Sequence, residues 1–308
     1  ALNLVGLDGL IESNTPIELD WYAAIPRQEL SQYNEATNTS AYYYADGEVD
    51  YLSSMSNDSE SVLDTDWIAF KSQYFSTVLK TQNLSKEIAL STIDIPGSER
   101  FLKTLSASAN LNYIGGTQSY SMDWYFVPNH VKTLKSYGIG LEELVPLGWS
   151  IIGWINKYVV INIFNTFEAW GWGYGLIIFM MALLIKIALF PFTYKSYSSM
   201  AKMRVLKPQV DAINEKYEDQ MKRQQEMMAL YKQTGVNPLG GCVPMLFQMP
   251  ILFALFRFFP ASIELRQQGF LWATDLSTYD SILDLGFNIP FYGDHVSLFT
   301  LLMTATTV

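Results

Sequence analysis

The chain has 308 residues, of which 49% are hydrophobic and 15% aromatic, with a formal net charge of -10. So much apolar content beside so large a net charge excludes both an ordinary soluble domain and a wholly buried helical bundle. The charge is also uneven: residues 1–171 carry 9 Lys+Arg against 20 Asp+Glu, whereas residues 193–235 carry 8 against 5. Lys and Arg beside short membrane loops set orientation, so the acidic part is expected outside and the basic segment in the cytoplasm.

Residues 1–145 read as mostly β. Short runs such as Glu87–Ile93 and Ser119–Val127 are separated by turn signals at Pro96-Gly97 and Gly115-Gly116. Trp67–Leu79 fits either a strand or a short amphipathic helix, and Asn129–Tyr137 is expected to be helical. The opening ALNLVGLDGL lacks the basic flank of a signal peptide, which suggests a chain that begins inside a larger protein.

Residues 146–170 are apolar, with Trp149, Trp154 and Trp170 spread along them and Asn156, Lys157, Asn162 and Asn165 interleaved. That pattern suits a helix lying in the headgroup zone, the alternative being a first transmembrane helix. A span follows over residues 171–193. Within it Trp172–Phe192 is 21 residues, about 31 Å as a helix, and its only charge is Lys186. A cation there costs roughly 3 kcal/mol on insertion scales, which marks Lys186 as a functional candidate. The competing reading is that its flexible stem lifts the ammonium to the near interface.

From 194 to 236 the chain turns charged and helix-prone, with Met203, Leu206, Val210, Ile213 and Tyr217 at steps of three or four, then Met227, Leu230 and Tyr231 after a polar break at Glu218-Asp219. Two antiparallel helices fit, with Pro208 expected to kink the first or open a new turn. The hairpin is either a contact surface or a solvated connector. Ten of the twelve methionines fall at or after Met180, including Met200, Met203, Met227 and Met228. They either make an adaptable surface or pack the hairpin's own seam.

A second span is expected over 237–262, containing Pro244, Pro250 and a mid-span Gln248 that should face the interior, while Arg257 near the outer end can snorkel. Residues 263–294 read as an outer loop, and 295–308 as only the start of a third span. The single cysteine, Cys242, cannot form an intrachain disulfide and is expected to be a free apolar thiol. His130 and His295 have no ligand spacing, and no phosphate loop, nucleophile elbow or paired-carboxylate motif is present. A metal, a cofactor and enzyme chemistry are therefore not expected.

The stretches LLIKIALFPFTYKSYSSMAKMRVLKPQV and EMMALYKQTGVNPLGGCVPMLFQMPILFAL, with IELR at Ile263–Arg266, closely resemble the YidC/Oxa/Alb family of membrane protein insertases. The resemblance is dense over residues 146–308. Residues 1–145, most clearly WYFVPNHVKTLKSYG, resemble the C-terminal part of the bacterial members' periplasmic β-supersandwich domain. It implies a multi-domain protein of a Gram-negative inner membrane, with residues 1–170 periplasmic and 194–236 cytoplasmic around an α-helical transmembrane core.

The resemblance further implies a hydrophilic groove, open to cytoplasm and lipid, that receives nascent membrane protein clients. Lys186 stands where the family places its positive groove residue, usually arginine, and Gln248 occupies the matching polar position on the next span. Ala182, one turn before Lys186, stands where some relatives carry a hydroxyl. The hairpin, through Met200, Lys202, Met203, Arg204, Met227 and Met228, is implied as a contact surface for clients or the ribosome. The Sec translocon and the bilayer are the other implied partners, and nucleic acid is not among them. Two other readings fit the composition. In a polytopic solute transporter Lys186 would bind an anion, although no acidic residue lies between Glu168 and Asp211 to serve a relay. In an assembly scaffold the spans would only anchor.

Overall fold

Alternation along the strands explains how the first part of the chain closes on itself. In the 13-residue strand Phe101–Tyr113, Leu105, Ala107, Ala109 and Leu111 are buried. Thr104, Ser106, Ser108 and Asn110 point the other way, the period of a half-buried strand. A computed structural model describes residues 1–81, 87–236, 243–290 and 293–307. These form two units: Ala1–Pro146 with Phe259–Val308, and Leu147–Phe258.

The first unit opens with β1 (Leu2–Leu4), β2 (Thr15–Pro26), helix α1 (Gln32–Thr37), β3 (Ser40–Ala45), β4 (Glu48–Tyr51), β5 (Asp58–Leu63) and β6 (Thr65–Lys71). It continues through β7 (Phe75–Thr81), β8 (Glu87–Asp94), β9 (Phe101–Tyr113), β10 (Gln118–Tyr120), β11 (Met122–Pro128) and helix α2 (Val131–Ser136). Antiparallel pairing gives a five-stranded sheet, β11-β7-β6-β3-β4, and a four-stranded sheet, β2-β9-β8-β5. Their inner faces share one core: Ala41, Tyr43, Ile68, Phe70 and Leu79 from the first, and Val62, Ile88, Leu90, Leu105, Ala107 and Ala109 from the second. This is a β-sandwich.

Two sequence expectations are corrected here. Trp67–Leu79 is neither one strand nor a helix. It is most of the β6–β7 hairpin, because Ser72–Tyr74 turn the chain and Ser72 N–H donates to Phe75 O at 2.8 Å. Ser119–Val127 breaks at Ser121, so that β10 pairs with β1 and β11 with β7. The strand Glu87–Asp94 and the short helix α2 lie where the sequence placed them.

The outer loop is more structured than its composition suggests, and it belongs to the sandwich's unit. Residues 260–266 dock through Leu265, which is 1% exposed, and through paired polar groups. Arg266 Nε donates to Glu29 Oε1 at 2.8 Å with its guanidinium over Tyr74 and Phe75, His130 Nε2 lies 3.4 Å from Glu264 Oε1, and Gln73 Nε2 donates to Pro260 O at 3.3 Å. Beyond it, β12 (Leu283–Ile289) and β13 (Gly293–Val296) form a hairpin leading to helix α8 (Leu298–Thr307), which is numbered after those of the second unit. Asp280 caps that helix, accepting from the Leu298 and Phe299 amides, the Ser297 hydroxyl and the Trp272 indole N–H.

The second unit is helical. Ser150–Ile155 (α3), a π-turn at Asn156–Val160 and Ile161–Ala169 (α4) run as one continuous helix, shorter at its start than the 146–170 expected. Next come α5 (Tyr174–Lys216), α6 (Gln220–Thr234) and α7 (Val243–Ala261), whose last turn lies in the first unit. Asn156, fully buried, donates to Leu147 O at 2.7 Å and Ala254 O at 2.8 Å, tying the π-turn to α7. Phe164 stacks near Tyr174 and meets Phe258 edge-on, so α4 packs on the start of α5 and the end of α7.

The span and the first hairpin helix are continuous: α5 is a single helix of 43 residues that passes through both Pro191 and Pro208, and no new helix opens at Pro208. The hairpin turns at 217–219, where Asp219 accepts from the Met221 amide at 2.9 Å. Gly235, with φ +65°, ends α6 in the left-handed conformation. Cys242 and the rest of the NPLGGC stretch lie outside the described residues.

Candidate functional site

Two helices, Tyr174–Lys216 and Pro244–Ala261, are long and apolar enough to cross a membrane, and only 17% of the most apolar stretch of each is buried. A soluble core helix of that composition would be mostly buried. The exposed apolar surface therefore fits lipid.

Between α5 and α7 lies a cleft of about 390 Å³. Thr193, Ser196, Tyr197 and Met200 line it from α5, and Pro244, Met245, Gln248, Met249 and Leu252 from α7. Phe192 and Phe247 meet beside it with ring centroids 4.7 Å apart. The lining mixes hydroxyls and an amide with thioethers, chemistry that accepts polar and apolar chain alike. Thr193 returns its hydroxyl to Leu189 O at 3.0 Å, whereas Tyr197 is 66% exposed.

Lys186 is exposed and lies outside this lining. It sits seven residues before Thr193, two turns and about 10 Å along the axis, and seven residues return a helix to nearly the same face. Ala182, Lys186, Thr193 and Met200 thus form one stripe that leads into the cleft. Among the described residues Lys186 makes no ion pair or hydrogen bond. Pro191, which has no N–H, leaves the Ile187 carbonyl without its helical donor one residue beyond Lys186. Such a carbonyl within a span needs water or a polar neighbour.

Gln248 lines the cleft opposite the α5 hydroxyls, and the structure brings it together with Met200 rather than with Lys186. Sequence reasoning grouped Met200 with the hairpin and missed Thr193, Ser196 and Tyr197. Counting sevens from Lys186 would have found Thr193 and Met200. On the hairpin, Lys202, Arg204 and Met228 are exposed, while Met203 and Met227 are half-buried in line with Leu206, Val210, Ile213 and Leu230. The methionines therefore divide between the seam and the surface.

Among the described residues no group of three or more His, Cys, Asp and Glu is placed to hold a metal. His130 is engaged by Glu264 and Thr133, and His295 stacks on Tyr279.

A β-sandwich joined to apolar helices, with a cation on a stripe that runs into a cleft of mixed polar and apolar lining, defines a multi-domain membrane protein with a helical core. Family models match both parts: one described as the 60Kd inner membrane protein over residues 165–308, the other as the YidC periplasmic domain over residues 11–161. The chain belongs to the YidC family of membrane protein insertases. It is 45% identical to the "Membrane protein insertase YidC" of Bacteroides fragilis over 321 residues, covering 100% of this chain and 52% of the relative. Proteins of the same name are 48% identical in Phocaeicola vulgatus, covering 84% of this chain and 44% of the relative, and 42% identical in Parabacteroides distasonis, covering 98% and 51%. The chain spans about half the length of these curated relatives.

Proposed function

We propose that this protein is a membrane insertase and chaperone of a Gram-negative inner membrane. In this reading residues 1–170 are periplasmic, 194–236 cytoplasmic, and α5 and α7 cross the bilayer. The stripe from Ala182 through Lys186 to the Gln248 cleft receives the hydrophilic part of a nascent membrane protein. The observation that carries this is the placement of a cation, unpaired among the described residues, in an apolar span on the face that leads into a cleft lined by hydroxyls, an amide and thioethers.

The physics favours transient capture. In a low-dielectric setting an ammonium attracts carboxylates and carbonyls of a short translocated tail more strongly than it would in water. Apolar segments of the client meanwhile slide along exposed faces of α5 and α7 and partition into lipid, which supplies the driving force for release. No covalent step is needed, so nothing in this mechanism is enzymatic. Lysine lacks arginine's planar fork, so capture here is by a point charge that draws acidic tails without holding a carboxylate in a bidentate pair.

The exposed Lys202, Arg204 and Met228 give the hairpin a basic, adaptable surface for clients or the ribosome. The family resemblance supports cooperation with the Sec translocon as well as independent action. Purified protein in lipid vesicles tests the reading with a short client carrying an acidic tail. Arginine at 186 should preserve insertion, and Lys186→Ala or Lys186→Glu should impair it most for acidic tails. Solute flux without client insertion would instead support a transporter, and partner binding without either would support a scaffold.

A further inference from the structure

Arg257 lies four residues before the end of α7, about 6 Å along the axis, where a span reaches the headgroups. Its guanidinium sits over the Trp149 ring, 5.5 Å from the centroid. Among the described residues no carboxylate or carbonyl accepts from it, in contrast to Arg266, whose guanidinium is engaged by Glu29 at 2.8 Å. A guanidinium carries five N–H donors in a fork that fits phosphate, and at that depth it meets lipid rather than bulk water.

The surface beside it is apolar. Trp149, Ile151, Trp154 and Tyr158 are each more than half exposed, and Trp154 and Tyr158 pack together with centroids 5.8 Å apart. The same helix already buries Val160, Phe164 and Phe167 on its other side. A helix apolar on both faces needs an apolar cover on each. The nearest acidic residue on this helix, Glu168, is occupied by the Tyr174 hydroxyl at 2.8 Å.

We propose that Arg257 and Trp149 form a binding site for the phosphodiester of a membrane glycerophospholipid in the leaflet at the C-terminal end of α7. The guanidinium and the indole N–H hold the phosphate, and an acyl chain lies over Ile151, Trp154 and Tyr158. Charge complementarity selects this occupant: an unpaired cation above exposed aromatics matches an anion carried on a hydrocarbon chain. The site depends on the membrane placement of α7 and not on insertase activity, so the two can fail separately.

Native mass spectrometry of the purified protein, released from vesicles of phosphatidylcholine and phosphatidylglycerol, counts the retained phospholipid. The wild type should retain lipid of both headgroups, and Arg257→Gln and Trp149→Leu should each weaken retention about tenfold, the loss of a charge-assisted bond. Arg257→Lys should recover only part, and Lys132→Gln, an exposed lysine on α2, should change nothing. Trp149→Leu leaves the α7 side chain intact and keeps the test decisive if Arg257→Gln fails to fold. Equal retention by all variants would overturn the site. Displacement of the lipid by millimolar inorganic phosphate would overturn it in favour of a free-anion site, and retention of phosphatidylglycerol alone would overturn the phosphodiester assignment.

Discussion

Lys71 offers a stringent test of how the sandwich is held together. It is 1% exposed, its ammonium donates to Asn38 O at 2.9 Å, and it lies 5.5 Å from the centroid of the Tyr42 ring, with no carboxylate partner among the described residues. Burial pushes its pKa down from 10.5 to about 7. The unfolded chain therefore binds more protons than the folded one between pH 7 and 10.5, and stability must rise with pH across that window. The gap corresponds to roughly 5 kcal/mol of destabilisation at neutral pH and below. Methionine in its place leaves Asn38 O without its donor and forgoes the ring attraction, which takes back roughly 1–3 kcal/mol of the gain. Lys71→Met should then stabilise the sandwich at pH 7 by roughly 2–4 kcal/mol, and the wild type should become more stable by about 3 kcal/mol between pH 7 and 9.5. Hydrogen exchange of β3 and β6 amides in the intact protein, corrected for the intrinsic pH dependence, measures both. A Lys71→Met protein less stable than the wild type, or a wild-type profile with no upward slope, would refute the reasoning.

Two further predictions concern the outer segment. Arg266 and Glu29 are 22% and 14% exposed, so removing one partner leaves a mostly buried charge; Arg266→Gln should cost about 3 kcal/mol in docking of residues 260–266 and speed proteolysis at 267–282. The reversed pair Glu29→Arg with Arg266→Glu should recover part of that loss. Burial raises the Asp280 pKa, but the Ser297 hydroxyl, the Phe299 amide, the Trp272 indole and the Leu298 amide outweigh it and hold the carboxyl below its usual range. Its cap on α8 is therefore present above about pH 4, the unfolded value, and is lost as pH falls through the folded pKa. Exchange at the Leu298–Thr300 amides should accelerate on acidification in the wild type, and be fast at every pH in Asp280→Ala, which has no acceptor.

How much was legible follows from where each signal resides. Strand period and turn residues are local, so Glu87–Asp94 and α2 could be read directly. The β6–β7 turn was hidden because Ser72, Gln73 and Tyr74 include no Gly, Pro, Asn or Asp, and it is fixed also by tertiary bonds such as Ser76 Oγ to Asn129 Oδ1 at 2.6 Å. At Pro208 no new helix opens, because helix on both sides outweighs one missing hydrogen bond. Lys186 was conspicuous as a lone charge in an apolar run, but the cleft was not, because it depends on which α7 residues face Thr193 and Ser196. The docking of Ile263–Arg266 onto Glu29, Tyr74 and His130 spans more than a hundred residues of sequence, beyond any local pattern.

The central claim is that the Ala182–Lys186–Thr193 face of α5 is a wet path entered from the basic side. Single cysteines at 182, 186 and 193, and at Leu184 and Ala188 on the opposite face, can be labelled with a membrane-impermeant maleimide from that side. The account predicts rapid labelling of the first three, blocked when a stalled client with an acidic tail is bound, and little labelling of the other two. Labelling of both faces alike, or of neither, would contradict it.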